Sequence, residues 1–187
     1  MKSDITKRLE KLLERSFTVR SEFYVFECTI GWYGSEIVDC IIYNCQREVV
    51  CYEIKSSVAD FRSKHAKTFI GHKNYFVMPL SVYEKVKEEI PAGVGVYVSI
   101  DGERIEERKV LQGMMYATQS RAVFLDGFRK LHCIQSCRRR DLRADKEVIL
   151  SSMLRCMQRD YLRGYHLPQF DDPYENAQTT NEDPSLF

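Results

Sequence analysis

Two apolar segments that flank one short turn place the strongest constraint on the fold of this chain. Residues 36–43 read EIVDCIIY, residues 48–55 read EVVCYEIK, and the polar turn NCQR separates them. Both segments are rich in β-branched and aromatic residues, which favour strands. The sequence therefore predicts a β-hairpin that carries an acidic residue inside each apolar strand.

The register of this hairpin brings its acidic residues together. Side chains alternate between the two faces of a strand, so Glu53 and Lys55 share one face, and Asp39 shares the face of Ile41. Pairing the strands about Gln46 as the turn centre sets Ile41 opposite Cys51. The same register sets Asp39 opposite Glu53, with their Cβ atoms about 4.5–5.5 Å apart. The pattern predicts contact between two carboxylates.

Such a pair of carboxylates makes the hairpin a candidate metal site. Facing carboxylates repel, and either a shared proton or a bound cation relieves the repulsion. Carboxylate oxygens at this spacing suit Mg²⁺ or Mn²⁺. The nearby Lys55 could hold an attacking water or a phosphate oxygen, an arrangement that recurs in phosphodiester hydrolysis. A solvated strand face is the common alternative for an E-x-K triplet, although an unpaired acid inside an apolar strand is costly.

The order of these residues resembles the PD-(D/E)XK nuclease superfamily, with Asp39 followed by EIK at residues 53–55. In more detail, residues 39–79 resemble the MmcB-like DNA-repair group and similar small phage proteins. The shared segments are EIVDCII, YEIKSSVADFRS and NYFVMP, and the resemblance covers roughly residues 1–100. The proline that names the superfamily is absent, because Val38 precedes the aspartate.

The resemblance implies both a fold and an activity. The fold is α/β, a restriction-endonuclease-like mixed β-sheet flanked by helices, with extra C-terminal helices. The activity is that of a metal-dependent DNA nuclease in DNA repair, recombination or phage DNA processing. Asp39, Glu53 and the backbone carbonyl of Ile54 would ligate Mg²⁺ or Mn²⁺, and Lys55 would position or activate the attacking water.

The superfamily often takes a further acid from its first helix. In this chain Glu10 or Glu14 could supply it, although a solvated helix face is the commoner explanation for each. Many proteins of this fold act as dimers, so the resemblance allows a homodimer, although the sequence carries no interface signal.

Basic residues near the hairpin and near the C-terminus are candidates for contacts with DNA phosphates. The candidates are Lys64, His65, Lys67, Lys73, Arg138, Arg139 and Arg140. A basic surface loop is the alternative for the first four, and a solvated helix end is the alternative for the three arginines.

The remaining pattern predicts an α/β domain with a mixed sheet and helices on both faces. A nuclease-like core would span residues 1–112, a helical extension packed on it residues 113–166, and an acidic disordered tail residues 167–187. Further predicted elements are a helix at 3–15, strands at 22–30, 75–78 and 95–100, and helices at 81–89, 119–135 and 142–161.

The composition indicates the cellular compartment in which the protein is expected. Its seven cysteines are odd in number and irregularly spaced, which favours a reduced compartment over a disulfide framework. No apolar run reaches membrane-spanning length and no signal peptide is evident, so the expectation is a cytoplasmic protein without a membrane partner. Residues 1–167 carry a net charge of +6, a mild bias toward DNA.

Two other hypotheses are alternatives to the hypothesis of a nuclease. One is a non-catalytic DNA-binding or regulatory module, of the phage or host-defence kind, on a nuclease-like fold. The other is a protein-interaction domain with a chance E-x-K triplet. Retention of all three of Asp39, Glu53 and Lys55 argues against a decayed site, and the extended EIKSSVADF segment argues against chance.

Overall fold

The computed structural model describes residues 2–18, 22–34, 36–63, 68–99 and 131–165. These residues form one six-stranded mixed sheet with helices on both faces, which confirms the predicted α/β class. No helix among them is long and apolar enough to cross a membrane.

The elements follow the chain in alternating order. They are α1 (Asp4–Thr18), β1 (Phe23–Thr29), β2 (Ile37–Tyr43), β3 (Val49–Ile54), α2 (Val58–Arg62), β4 (Lys73–Pro79), α3 (Leu80–Val86), a 3-10 turn (Lys87–Glu89), β5 (Gly95–Ser99), β6 (Leu131–Gln135) and α4 (Lys146–Tyr165). The predicted hairpin is therefore confirmed, as are the predicted strands around it and the helix at the N-terminus.

The sheet has the strand order β1-β2-β3-β4-β5-β6. The first three strands form an antiparallel meander, β4 and β5 run parallel to β3, and β6 returns antiparallel to β5. Strand β3 is central and buried along its whole length. Its carboxyl end, which carries the predicted site, therefore lies inside the molecule rather than at a sheet edge.

Helix α1 covers one face of the sheet. Leu9, Leu13 and Phe17 recur every four residues, so they form one apolar stripe, and all three are buried against β2 and β3. The hydroxyl of Ser3 accepts a hydrogen bond from the N–H of Thr6 at 3.1 Å, which caps the first turn.

The other face is covered by the remaining helices. Ile149, Met153 and Cys156 of α4 pack against the antiparallel half of the sheet. Phe61 of α2 and Val82 of α3 pack against the parallel half. Because helices protect both faces, the central strands are apolar on both sides, and any charged group there must be satisfied inside the protein.

One predicted helix is wrong in its described part. Residues 131–135 of the predicted helix 119–135 form β6, and the other residues of that helix lie outside the described residues. No glycine or proline next to the segment LHCIQ marks it as a strand. It pairs with the open edge of β5, and this nonlocal pairing overrides the helical periodicity of the sequence. β6 therefore belongs to the sheet of the core rather than to a separate helical extension.

The last predicted helix is confirmed with shifted bounds. It begins at Lys146 rather than 142, because Asp145 caps it by accepting a hydrogen bond from the N–H of Glu147 at 2.7 Å. The predicted domain boundary at residues 112–113 and the predicted acidic tail at 167–187 lie outside the described residues.

Candidate functional site

The β2–β3 register agrees with the prediction. Ile41 pairs with Cys51 and Cys40 pairs with Tyr52. One further step of this register sets Asp39 beside the end of β3. There the Oδ2 atom of Asp39 accepts a hydrogen bond from the N–H of Ile54 at 2.8 Å.

The alternation of side chains between the two faces of the sheet is interrupted at the level of Glu27. Phe26 pairs with Cys40 and both pack toward α1, whereas Cys28 pairs with Val38 and both pack toward α4. Glu27 lies between the two pairs with φ +48°, a left-handed conformation that side-chain-bearing residues rarely adopt. The change of face coincides with this left-handed residue, and the pairing register is the same on both sides of it.

This reversal corrects the predicted face of Asp39. Val38 packs with Ile41 on the α4 side, so Asp39 points to the α1 side, where it lines a cleft. The prediction that Asp39 shares the face of Ile41 is therefore wrong, because it assumed unbroken alternation. Glu53 is two residues from Cys51 on β3 and therefore points to the same face, and Cys51 packs toward α4. The two carboxylates thus meet at the end of β3 rather than side by side on one face.

Glu53 is a buried carboxylate with two polar neighbours. Only 2% of the residue is exposed. Its Oε1 atom accepts a hydrogen bond from the N–H of Thr68 at 3.2 Å, and its Oε2 atom lies 3.5 Å from the Nζ atom of Lys55. Burial, and then repulsion by Asp39, raise the pKa of Glu53 to about 7.

The pKa of Asp39 is also subject to opposing influences. Burial raises the pKa of its carboxyl group, while the hydrogen bond from Ile54 and the charge of Lys55 oppose the rise. Lys55 is itself only 5% exposed. Two carboxylates and one ammonium are therefore held together inside the protein, where an uncompensated charge is costly.

An acidic cleft opens beside these groups. It has a volume of about 310 Å³ and is lined by Lys2, Thr6, Glu10, Glu27, Asp39, Ile54, Lys55 and Asp60. Of the two predicted helix acids, Glu10 lines this cleft. Glu14 does not belong to its lining, and its carboxylate accepts a hydrogen bond from the hydroxyl of Tyr24 at 3.3 Å.

Lys2 and Glu27 are cleft residues that sequence reasoning missed. The ammonium of Lys2 lies 2.6 Å from Glu10 and 2.8 Å from Glu27. The pairing of Phe26 with Cys40 sets the next residue, Glu27, at the level of Asp39. That relation could have been found only by aligning β1 with β2, and the turn that Gly31 and Gly34 mark between these strands does not by itself fix their register.

Asp60 also lines the cleft, although in the sequence Ser56, Ser57 and Asp60 together predict a structural cap of the following helix. The cap is confirmed, because the hydroxyl of Ser57 accepts a hydrogen bond from the N–H of Asp60 at 3.1 Å. In return, Asp60 Oδ2 accepts hydrogen bonds from the N–H of Ser56 at 2.8 Å and from its hydroxyl at 3.2 Å. Asp60 thereby fixes the turn that follows Lys55.

Those predicted DNA contacts that the structure describes do not line the cleft. Lys73 and Arg139 both bind the carboxylate of Glu48, at 2.6 and 3.1 Å. Glu48 directly precedes β3, five residues and therefore roughly 16 Å from Glu53 at the other end. Lys73 therefore lies at the opposite end of β3 from the acidic cleft, because the parallel strand β4 begins there.

The other predicted basic residues divide into two groups. Arg138 and Arg140 follow β6, and their N–H groups donate to the carbonyls of Gly93 and His72 at 2.9 Å each. The Arg140 guanidinium also donates to the carbonyl of Phe69 at 2.6 Å. Lys64, His65 and Lys67 lie outside the described residues.

The chain resembles one solved structure in its fold. No family model matches the chain, and no curated protein matches it. A solved structure of a protein of unknown function from Silicibacter pomeroyi is similar, with a TM-score of 0.60 and 15% sequence identity. The match covers 91% of this chain and all of the other. At this identity the likeness shows the fold alone.

Proposed function

We propose that this protein is a metal-dependent DNA nuclease, with a restriction-endonuclease-like fold, that acts in DNA repair, recombination or phage DNA processing. The observation that carries the proposal is the buried pair of Glu53 and Lys55 beside Asp39. Three charged groups at the end of a central strand cost stability, which a structural role does not require. Strongly perturbed pKa values at a cleft are typical of functional sites.

The residues present fit an oxygen-ligated divalent cation. Within the described residues no group of three His, Cys, Asp or Glu side chains is arranged to hold a metal. Asp39, Glu53 and the carbonyl of Ile54 would instead provide a mixed set of side-chain and backbone oxygens. Mg²⁺ and Mn²⁺ accept such sets and complete them with water. When bound, the cation would offset the carboxylate charges and stabilise negative charge on a phosphate.

Lys55 would act on the reacting groups directly. It lines the cleft, and its ammonium lies 3.5 Å from Glu53. A buried ammonium in this place can orient a water molecule toward phosphorus or donate to a phosphate oxygen. Glu10 and Asp60 line the same cleft, where they would hold further water molecules or the hydrated cation.

DNA would extend from the cleft toward the basic residues around Glu48. The roughly 16 Å that separates the two ends of β3 corresponds to about five nucleotides along a duplex strand. Lys73, Arg138, Arg139 and Arg140 would then contact the backbone away from the cleaved bond. This division is consistent with the acidic lining of the cleft itself.

Cleavage assays with matched lysine variants test the proposal. Single-stranded, double-stranded and branched DNA would be incubated with Mg²⁺ or Mn²⁺. We expect the wild type to cut and Lys55→Ala to be at least about a hundredfold slower. Lys85→Ala, an exposed lysine on α3, should cut like the wild type. Equal cutting by the wild type and Lys55→Ala, or no cutting by the wild type on any substrate, would contradict the assignment.

A second candidate is a non-catalytic DNA-binding or regulatory module on the same fold. The ion pairs of Lys2 with Glu10 and Glu27 favour it, because they place a cation of the protein itself in the acidic cleft. Calorimetric titration separates the two candidates. DNA affinity without any Mg²⁺ or Mn²⁺ binding would favour the module, whereas metal binding that requires Asp39 would favour the nuclease.

A further inference from the structure

A second cavity lies beside the turn that follows Lys55, because Ser56 lines it. Its volume is about 110 Å³, and its polar lining consists of Arg8, Ser56, Ser81 and Ser99. The rest of the lining is apolar and includes Leu9 and Val82. We call this cavity the serine pocket.

The serine pocket and the acidic cleft have opposite electrostatic character. The described residues that line the pocket include one charged group, the guanidinium of Arg8, and no carboxylate. The cleft is lined by four acids and two lysines, so acids predominate there. Arginine and hydroxyl groups are the side chains that bind phosphate oxygens, whereas carboxylates repel them. The pocket therefore suits an anion where the cleft suits a cation.

The position of the pocket also favours ligand binding. Ser56 follows the end of β3, Ser81 follows the end of β4, and Ser99 is the last residue of β5. These three strands are parallel, so their carboxyl ends lie at one edge of the sheet. Ligands of open α/β sheets bind outside this edge.

The two cavities have no lining residue in common, but helix α1 and the segment that follows β3 contribute residues to both. Ser56 lines the pocket, and Asp60, which accepts both hydrogen bonds from Ser56, lines the cleft. Helix α1 contributes Arg8 to the pocket and Glu10 to the cleft. A ligand that spans both cavities would therefore lie across α1 and the turn after β3.

We propose that the serine pocket binds a phosphate group of the same nucleic-acid strand whose phosphodiester bond is hydrolysed in the cleft. This inference rests on the proposed function, because it takes that strand to be the substrate. A volume of about 110 Å³ equals about four water molecules at about 30 Å³ each. It admits a phosphate and is well below the roughly 300 Å³ of a typical pocket for a whole small molecule.

Binding measurements in EDTA test the pocket separately from cleavage. The probe is a short fluorescent single-stranded oligonucleotide, with or without a 5′ phosphate, and inorganic phosphate serves as competitor. We expect Arg8→Gln to weaken binding about tenfold, because a charge-assisted hydrogen bond is lost. Arg8→Lys should recover most of the affinity, and Ser81→Asp should lose as much as Arg8→Gln.

Arg15→Gln is the matched control, because Arg15 is an exposed arginine on the same helix and lines neither cavity. It should change the affinity less than about twofold. Loss confined to the 5′-phosphorylated probe would assign the pocket to a strand end, and equal loss for both probes would assign it to an internal phosphate. Equal effects of Arg8→Gln and Arg15→Gln, wild-type affinity in Ser81→Asp, or no binding by the wild type would overturn the proposal.

The two proposals can fail independently. If Lys55→Ala cuts like the wild type while Arg8→Gln still loses affinity, the nuclease assignment fails and the phosphate pocket stands. If Lys55→Ala is inactive while Arg8→Gln binds like the wild type, the pocket assignment fails alone.

Discussion

Asp39 is hydrogen-bonded to the backbone of the strand that carries the other charged groups, because its Oδ2 atom accepts from the N–H of Ile54 at 2.8 Å. Ile54 lies between Glu53 and Lys55 in sequence. The bond therefore sets the distance of Asp39 from both of them, although Asp39 belongs to the neighbouring strand. The second carboxylate oxygen is then the one that would face a cation.

Asp39→Asn should distinguish the structural effect of this hydrogen bond from the effect of the carboxylate charge on metal binding. The amide oxygen can still accept from the N–H of Ile54, so we expect the fold to persist with a loss of less than about 1 kcal/mol. We expect Mn²⁺ to raise the melting temperature of the wild type and to leave that of Asp39→Asn unchanged, because one anionic ligand is gone. Thermal unfolding in EDTA and in Mn²⁺ measures both effects. The exposed Asp4→Asn is the control, and an undiminished Mn²⁺ effect in Asp39→Asn would contradict the proposed site.

The pH dependence of stability should follow from Glu53. Its pKa is raised to about 7 in the folded protein from an ordinary value of 4.5, so the folded state binds the proton more tightly. Its contribution to stability is therefore complete below pH 4.5 and is lost as the pH rises through 7. The free energy of unfolding in EDTA should fall by at most about 3 kcal/mol over that range. Urea titrations at pH 5 and pH 8 would measure the change.

Two comparisons check this assignment. Glu53→Gln should show a flatter pH profile, because the titrating group is absent. Adding Mn²⁺ should restore more stability to the wild type at pH 8 than at pH 5, since a cation favours the ionised carboxylates. A wild-type stability that rises from pH 5 to pH 8 in EDTA would be the opposite of the expected sign.

The local parts of the site could be predicted from sequence, and the nonlocal parts could not. The pairing of Ile41 with Cys51 follows from the turn that joins their strands, because a short turn sets the register. The participation of Glu27 depends on how β1 pairs with β2. The face of Asp39 changes at the level of the left-handed Glu27 in β1, and no pattern within the hairpin carries this information.

The missed strand β6 has a similar cause. Residues 131–135 contain one buried side chain, Ile134, so neither the strand nor the helix period is distinct in five residues. Their conformation is decided by pairing with the free edge of β5, which lies more than thirty residues earlier in the sequence. The position of Lys73 follows the same rule, because its place at the far end of β3 is set by the parallel pairing of β4.

Glu27→Gly should stabilise the protein while it removes a cleft residue. A residue with a side chain at φ +48° is strained, and glycine adopts this conformation without penalty. We expect the free energy of unfolding to rise by about 0.5–1 kcal/mol, because the ion pair with Lys2 is exposed and contributes little. Glu36→Gly, at an exposed glutamate just before β2, should not be stabilising. A clear loss of stability in Glu27→Gly would show that its side chain contributes more than its backbone costs.

Arg159 should couple helix α4 to this strained position. Its guanidinium donates to the carbonyls of Phe26 and Glu27, both at 3.1 Å, so it holds the backbone on either side of the left-handed residue. Arg159→Met keeps the aliphatic length and leaves these carbonyls without their donor, which should cost about 1–2 kcal/mol in urea unfolding. Arg163→Met, one turn further along the exposed part of α4, should cost less than about 0.5 kcal/mol. If Arg159 stabilises the left-handed backbone itself, its removal should cost less in the Glu27→Gly background, where no strain has to be held. Additive losses in the double variant would instead mean that α4 is attached at this point without any influence on the conformation of Glu27.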